Sequence, residues 1–501
     1  MNRSTSVVTY CLSLLLLPLI SSSATSDDNV HVTILHFNDI YEITPVSGGK
    51  EGGLARVATL YKQLKEKNPN TFMTLGGDLF SPSAMGTARI DGKPLAGKQM
   101  VDVLNGLGLQ LATFGNHEFD LKQEEFNERM EEAKFAWVSS NVFGAQGKPF
   151  AGVKEMMTLS FSGENAGDEF RLGIFGLTLG VNQPDYVRYS DPLSAAEKAL
   201  RRLAIDSDFI VALTHQAIED DEKLLQQLPS IDLLLGGHEH VNYQRWRGKH
   251  LSPLLKGDAN VRTVYVIDID YDPKTKQASI DPRLVKIDQT LVEDAEVKAR
   301  AEKWVNIAFD AFRKEGFNPN EVITTTTEQL DGLEEHVRSK QTNLTQIIAK
   351  SLLIPYPEAD LSLYNSGSIR IDDLLPAGQI TVYDIIRVMP FGGTVPLVEM
   401  QGGLLKRVLD QGQANIGTGG YLQSANTSKS LNGVWLIQGV PLNEKQTYRV
   451  AISDYLAAGK ERNLEYLNPS NPAMKAVNEG DGTDVRKLLI QQLKDGDKRT
   501  L

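Results

Sequence analysis

The stretch QLATFGNHEFD, residues 110–120, decides how the first half of the chain folds. It is an apolar run of strand length that breaks at Gly115 and closes on Asn116, His117 and Asp120, side chains that bind cations or move protons. The same pattern recurs on both sides. HVTILHFND (31–39), TFMTLGGD (71–78), FIVALTH (209–215) and DLLLGGHEH (232–240) each run apolar and then end in Asp or His. RLGIFGL (171–177) and VYVIDID (264–270) add two more strand-like runs. Amphipathic, helix-like stretches lie between them, so residues 28–290 read as an α/β domain with a sheet buried on both faces. Open α/β sheets build ligand sites at the carboxyl ends of their strands, which is where these polar groups fall.

Working outward, residues 291–317 place Val297, Ala301, Trp304 and Ala308 at helical spacing and close with Gly316, which predicts one helix joining two domains. Residues 322–501 are richer in glycine and mixed in pattern, with helix-like pieces at Thr342–Leu353 and Gly403–Gln411. They read as a separate α+β domain.

The chain has 501 residues, 41% of them hydrophobic, and a formal net charge of -12. That acidity argues against nucleic acid as a partner, because a phosphate backbone needs a cationic surface. A small phosphorylated ligand remains compatible, since a few arginines and a cation reverse the field locally. At the N-terminus, Arg3 precedes an apolar run from Val7 to Ile20 and a small-residue stretch from Ser21 to Thr25. These are the three parts of a secretory signal, residues 1–24, cleaved after Ala24. The expected location is outside the cell or in a periplasm, with no stable membrane anchor in the mature chain. The lone cysteine, Cys11, lies inside that run, so the mature chain would rely on its cores rather than on disulfides.

The strand-end clusters supply Asp39, Asp78, Asn116, His215, His238 and His240 as candidate metal ligands. Carboxylates with neutral imidazoles suit Mn, Zn, Fe, Mg or Co, and two divalent metal ions would need one shared ligand, for which Asp78 is the best placed. Glycines beside Asp78, Asn116 and His238 would let the backbone approach the ions closely. His117, next to a ligand, is a candidate catalytic residue. Asp120, three positions on, either orients its ring or caps the following helix.

On GNHEFD and GGHEH above all, the chain resembles the calcineurin-like metallophosphoesterases, and among them the 5'-nucleotidase family with its C-terminal substrate domain. The resemblance covers nearly all of residues 30 to 470. It implies a β-sandwich flanked by helices, in α/β/β/α order, followed by the α+β domain. It also implies one metal on Asp39, Asp78 and His240, another on Asp78, Asn116, His215 and His238, and His117 with Asp120 as the catalytic pair. Asn116 would lie near the substrate phosphoryl group as well. The expected chemistry is in-line attack of a metal-bridging hydroxide, with ions about 3.5–4 Å apart. One departure stands out: where the family usually has a His two residues after the first Asp, this chain has Tyr41. A tyrosine oxygen binds hard cations; the alternative is that Tyr41 packs aside and water fills its place.

In the second domain Arg338, Asn365, Gly367, Arg370 and Phe391 match the family's substrate-binding elements, with arginine forks for phosphate and an aromatic face for a nucleobase. The family's second aromatic is missing from its usual segment, where Leu464 stands and Tyr455 or Tyr466 are the substitutes. Glu334 takes a place where some relatives carry Arg, and Gly420 and Tyr421 either join the pocket floor or form a turn. The resemblance therefore implies hydrolysis of nucleoside monophosphates to nucleoside and phosphate, with a small-molecule nucleotide as partner. The alternatives are a cyclic-nucleotide phosphodiesterase, a nucleotide-sugar pyrophosphatase, or a metal-impaired nucleotide-binding protein.

Overall fold

In the computed structural model, residues 29–163, 169–478 and 482–496 are described; the signal segment and Cys11 lie outside them. The chain begins with β1 (Val30–Phe37), whose alternate residues face two different cores. Val30, Val32 and Ile34 pack into one hydrophobic cluster and Leu35 and Phe37 into another. A strand of period two with apolar groups on both sides must be covered on both faces.

The following elements satisfy that demand. They are α1 (Leu54–Lys67), β2 (Thr71–Leu75), α2 (Lys98–Leu107), β3 (Leu111–Ala112), β4 (Ala136–Val138), β5 (Val153–Lys154), β6 (Met156–Ser162) and β7 (Glu169–Thr178). Then come α3 (Pro192–Asp206), β8 (Phe209–His215), α4 (Ile218–Gln227), β9 (Leu233–Gly236), β10 (Tyr243–Arg247), β11 (Ser252–Lys256), β12 (Thr263–Asp272) and β13 (Gln277–Lys286). They form a seven-stranded sheet in the order β13-β12-β1-β2-β3-β4-β5 and a six-stranded sheet in the order β10-β11-β9-β8-β7-β6. β1 through β5 are parallel in the first sheet, and β7, β8, β9 and β11 in the second.

The sheets pack face to face over Val32, Ile34, Leu172, Val211, Leu235 and Ile267, while α1 and α2 cover one outer face and α3 and α4 the other. The two packed sheets are the helix-flanked β-sandwich that the family resemblance implied; the apolar runs alone did not separate one sheet from two, because FIVALTH is equally apolar whether its far face meets a helix or another sheet. In both sheets the parallel strands run toward the same rim. β1, β2, β3, β8 and β9 all deliver their following residues there.

Segment 291–317 contains α5 (Ala295–Lys314), whose first turn is capped by the Asp294 carboxylate accepting from the Val297 amide. It lies on the first domain: Trp304 Nε1 and Arg300 Nη1 donate to the two oxygens of Asp102 on α2. Gly316, at φ +87, ends the excursion.

Beyond it, a five-stranded sheet takes the order Leu422–Ala425, Leu361–Asn365, Thr447–Ile452, Leu397–Gln401, Met474–Asn478. Helix Gly402–Ala414 covers one face over Leu363, Val398, Leu405 and Ile452. Helices Asn343–Ser351, Val382–Val388 and Val485–Gly496 cover the other, and that core runs on without a break into the core beneath α1, α2 and α5. The seam between the two halves is charged. Buried Arg387 bonds Glu42 of the first half and Asp373 of the second, each at 3.2 Å, and Ser47 donates to Asp373 from its amide and its hydroxyl.

Candidate metal centre

Four of the six expected ligands adopt backbone conformations that side-chain-bearing residues avoid: Asp39 (φ +51), Asp78 (φ +57), His238 (φ +96) and His240 (φ +60). Such strain persists only where the surroundings over-determine it, and it concentrates at functional sites. Two glycines make the approach possible. A Cβ on Gly115 would lie 2.0 Å from Asp78 Oδ1, and Gly77, at φ +86, has no room for one against Gly115 and His215.

The loops are held by a residue that sequence reasoning missed. Glu118, fully buried, accepts from the amides of Asp78, Leu79, Phe80 and Gly115, tying the turn after β2 to the turn after β3. Burial and the nearby Asp78 charge push its carboxyl up to about 7. The signal was present as the acidic residue inside GNHEFD, but no local rule says that its side chain reaches back across two loops.

Asp39, Asp78 and His215 bring three buried donor atoms within 4.8 Å of one another. His215 Nε2 lies 3.3 Å from Asp78 Oδ2 and 3.9 Å from Asp39 Oδ1, with its Nδ1 fixed at 2.7 Å from the Gly76 carbonyl. His240 Nε2 is 3.6 Å from Asp39 Oδ1, and the His238 ring sits 5.3 Å from that of His215. Asn116 Oδ1 is buried without a hydrogen-bond partner among the described residues, an orphan that normally signals a missing ligand. Oxygen and nitrogen donors at this spacing fit divalent cations, and the orphan Asn116 oxygen belongs to the residue after Gly115, which abuts Asp78.

Tyr41 does not pack aside. Its buried hydroxyl lies 2.8 Å from His240 Nε2, donates to Asp78 Oδ2 at 3.1 Å and approaches Asp39 Oδ1 at 3.4 Å. Burial, and then the Asp78 and Asp39 charges, push its phenol well above the usual range in the metal-free protein. The reading in which Tyr41 packs aside is therefore corrected: the loop geometry set by Asn260, which accepts from the Tyr41 and Glu42 amides, aims the side chain inward.

His117 donates its amide to Asp78 Oδ1 at 2.8 Å, and its Nδ1 lies 2.6 Å from Asp120 Oδ2. Burial lowers the His117 imidazole, but Asp120 and Asp78 outweigh it and the net shift is upward. Asp120 is no helix cap: the next helix begins at Gln123, and its carboxylate instead also receives Asn182 Nδ2 at 2.6 Å and Ser81 Oγ at 3.0 Å. His240 acquires an unexpected partner from the second half, since its Nδ1 lies 2.9 Å from Asp372 Oδ2.

In the second half, Asn365, Gly367, Arg370 and Phe391 line one cavity of about 420 Å³ together with Tyr455 and Glu461. Of the two substitutes for the family's second aromatic, Tyr455 is the one that shares this cavity with Phe391. Leu464 is wholly buried in the core under helix Gly402–Ala414, and Tyr466 stacks on Arg407 at 3.9 Å. Arg338 is not among the lining residues; its guanidinium pairs with Glu334 at 2.6 Å. Gly419 lines the cavity in place of Gly420 and Tyr421. The Arg370 guanidinium lies 5.8 Å over the Phe391 ring, its buried Nε has no hydrogen-bond partner among the described residues, and its charge opposes protonation of His117. Phe391 also lines a second cavity, about 270 Å³, with Asp120.

Comparison with known proteins agrees with this arrangement. Residues 32–242 match the calcineurin-like phosphoesterase family and residues 322–468 the 5'-nucleotidase C-terminal domain. The chain belongs to the 5'-nucleotidase family. Human 5'-nucleotidase is 25% identical over 439 residues, covering 78% of this chain and 74% of the relative. The Bacillus subtilis trifunctional nucleotide phosphoesterase YfkN is 25% identical over 497 residues, 85% of this chain, which spans only 32% of that longer protein. The solved 5'-nucleotidase precursor from Thermus thermophilus superimposes with a TM-score of 0.73 at 22% identity, covering 93% of this chain and 96% of the other, and so shares its fold. As a member of this family the chain is a metal-dependent phosphoric ester hydrolase.

The imidazoles predict how this 5'-nucleotidase family member takes up metal. Burial lowers His215, but the Asp78 and Asp39 charges reverse that and raise it to about 9. Burial likewise opposes the Glu334, Asp372 and Asp39 charges at His240, which stands at about 10. Both rings therefore carry a proton at neutral pH without metal, and a cation bound through them would have to displace it. Apparent affinity for Mn should rise as pH increases from 6 toward about 9. Titration calorimetry in buffers of different ionisation enthalpy would count the protons released; affinity that falls over this range rejects the assignment of these rings as ligands.

Proposed function

We propose that the chain hydrolyses nucleoside monophosphates to nucleoside and phosphate. One observation carries the substrate assignment: Arg370, whose buried Nε has no hydrogen-bond partner among the described residues, lines an aromatic-walled cavity, and its charge is felt at His117. A buried guanidinium nitrogen with no hydrogen-bond partner among the described residues is costly, and a planar guanidinium fork matches a phosphate. A nucleotide fits that layout, with its base between Phe391 and Tyr455, its sugar hydroxyls toward Asn365 and Glu461, and its phosphate toward Arg370 and His117.

In this reading Asp39, Asp78 and His240 hold one divalent cation, and Asp78, Asn116, His215 and His238 the other. Cations there supply Lewis-acid charge to the phosphoryl oxygens and an activated water. Asn116 and Arg370 orient the phosphate. His117 delivers a proton to the departing sugar oxygen, and Asp120 fixes the ring so that Nε2 faces the substrate.

A substrate panel run with Mn, against chelated enzyme, tests this. Monophosphates should be the fastest substrates, with inorganic phosphate as the shared product. Faster turnover of cyclic nucleotides or nucleotide sugars would replace the reading with one of those activities, and metal-loaded protein without turnover would make it a binding protein. Arg370→Ala should raise KM about 10- to 100-fold for nucleotides and aryl phosphates alike, as expected for a lost charged hydrogen bond of about 1.5–3 kcal/mol. Phe391→Ala should raise KM for nucleotides only, by about 1–3 kcal/mol of stacking. Equal effects of both variants on both substrates would dissociate the cavity from the base.

Export is part of the same proposal. Among the described residues no helix is long and apolar enough to cross a membrane, and the Arg3 to Thr25 pattern supports cleavage after Ala24. N-terminal sequencing of protein recovered outside the cytoplasm should begin at Thr25; an intact Met1 rejects cleavage.

A further inference from the structure

The position of Tyr41 carries an inference about which cation this centre prefers. Its hydroxyl is 2.8 Å from His240 Nε2, 3.1 Å from Asp78 Oδ2 and 3.4 Å from Asp39 Oδ1, while His240 Nε2 and Asp39 Oδ1 are 3.6 Å apart. Bonds of about 2.1 Å to one cation separate neighbouring ligand atoms by about 3.0 Å in an octahedron and about 3.4 Å in a tetrahedron. The phenol oxygen thus occupies a corner of the same polyhedron as the other three donors. It is also fixed there. The side chain is buried, its amide is held by Asn260 Oδ1 at 2.9 Å, and its ring packs 5.2 Å from that of His240.

We propose that the Tyr41 oxygen is a direct ligand of the cation held by Asp39, Asp78 and His240, and that it makes this half of the centre selective for Fe(III). The inference rests on the reading of this cluster as a metal centre and extends it to the metal's identity. Three oxygens, one of them phenolic, against a single imidazole form a hard donor set, which favours a small, highly charged cation. A phenolic oxygen that has given up its proton is a hard, charge-rich donor and bonds best to a small, highly charged cation. On binding, the O–H bond breaks and its proton passes to solvent, the oxygen lone pair forms the O–Fe bond, and one citrate or water ligand leaves the iron. Iron stays Fe(III) throughout. The other half, with Asn116, His215 and His238 around Asp78, has more nitrogen and remains a site for a divalent cation.

The experiment uses the full mature chain, stripped with chelator and reloaded with Fe(III) citrate and then Mn, with metals counted by mass spectrometry. The expected protein is coloured, with one Fe(III) per chain, and resonance Raman excitation within the visible band enhances tyrosinate ring modes. Tyr41→Phe should be colourless and lose the Fe(III) while keeping a divalent cation. Tyr41→His should bind metal at both halves without colour. Iron bound by the wild type without tyrosinate modes, or a band that survives in Tyr41→Phe, overturns the inference and leaves the metal centre standing. Failure of every cation to bind overturns both. The wild-type Raman spectrum decides the matter even if a variant folds poorly.

Discussion

Asp78→Asn should cost about 10³-fold or more in kcat/KM, roughly 4 kcal/mol of transition-state stabilisation, and should strip cations from a chain that remains folded. The size follows from position. One carboxylate faces His215 Nε2 at 3.3 Å and the Tyr41 hydroxyl at 3.1 Å with Oδ2, and takes the His117 amide at 2.8 Å with Oδ1. Its two flanks are the two halves of the proposed centre, so losing its charge weakens both. Asparagine has the same shape and keeps an oxygen for the His117 amide, which separates chemistry from folding. Circular dichroism and thermal unfolding should be near those of the wild type while metal content and turnover collapse. Full metal occupancy with near-normal turnover would remove Asp78 from the centre.

His117→Ala should lower kcat on nucleoside monophosphates by about 10²- to 10⁴-fold, the range for a positioned general acid, with metal content intact. An aryl phosphate, whose leaving oxygen needs no proton, should lose much less. An equal loss on both substrates would make His117 a phosphoryl-binding residue rather than an acid. Asp120→Asn should fall between. Because burial lowers His117 and the Asp120 charge raises it, removing that charge lowers the pKa of the acid. The acid works only while protonated, so the alkaline limb of kcat/KM should move to lower pH.

How much of this was legible in the sequence differs from residue to residue. Strand ends could be read because burial forces apolar runs, and glycines such as Gly115 had to precede ligands because no side chain fits there. The residue types at positions 39, 78, 116, 215, 238 and 240 suggested cation chemistry through their shared order at successive strand ends, since each motif taken singly is commonplace. Contacts that cross the fold were illegible. Nothing near Glu118 tells that it gathers four amides, and nothing near Asp372 tells that it reaches His240. The substitution at Tyr41 was visible, but the direction of its side chain depended on Asn260, more than 200 positions away. Leu464 and Tyr455 are near neighbours in sequence, and only packing says which of them faces the cavity and which enters the core.

The bond between His240 and Asp372 spans the two halves of the molecule, as do the pairs that Arg387 and Ser47 make with Glu42 and Asp373. Swinging the second half away to discharge a product breaks all of them in one stroke. If His240 holds a cation as proposed, a movement that opened the proposed nucleotide cleft would also slacken that hold, setting turnover against metal retention at a single joint.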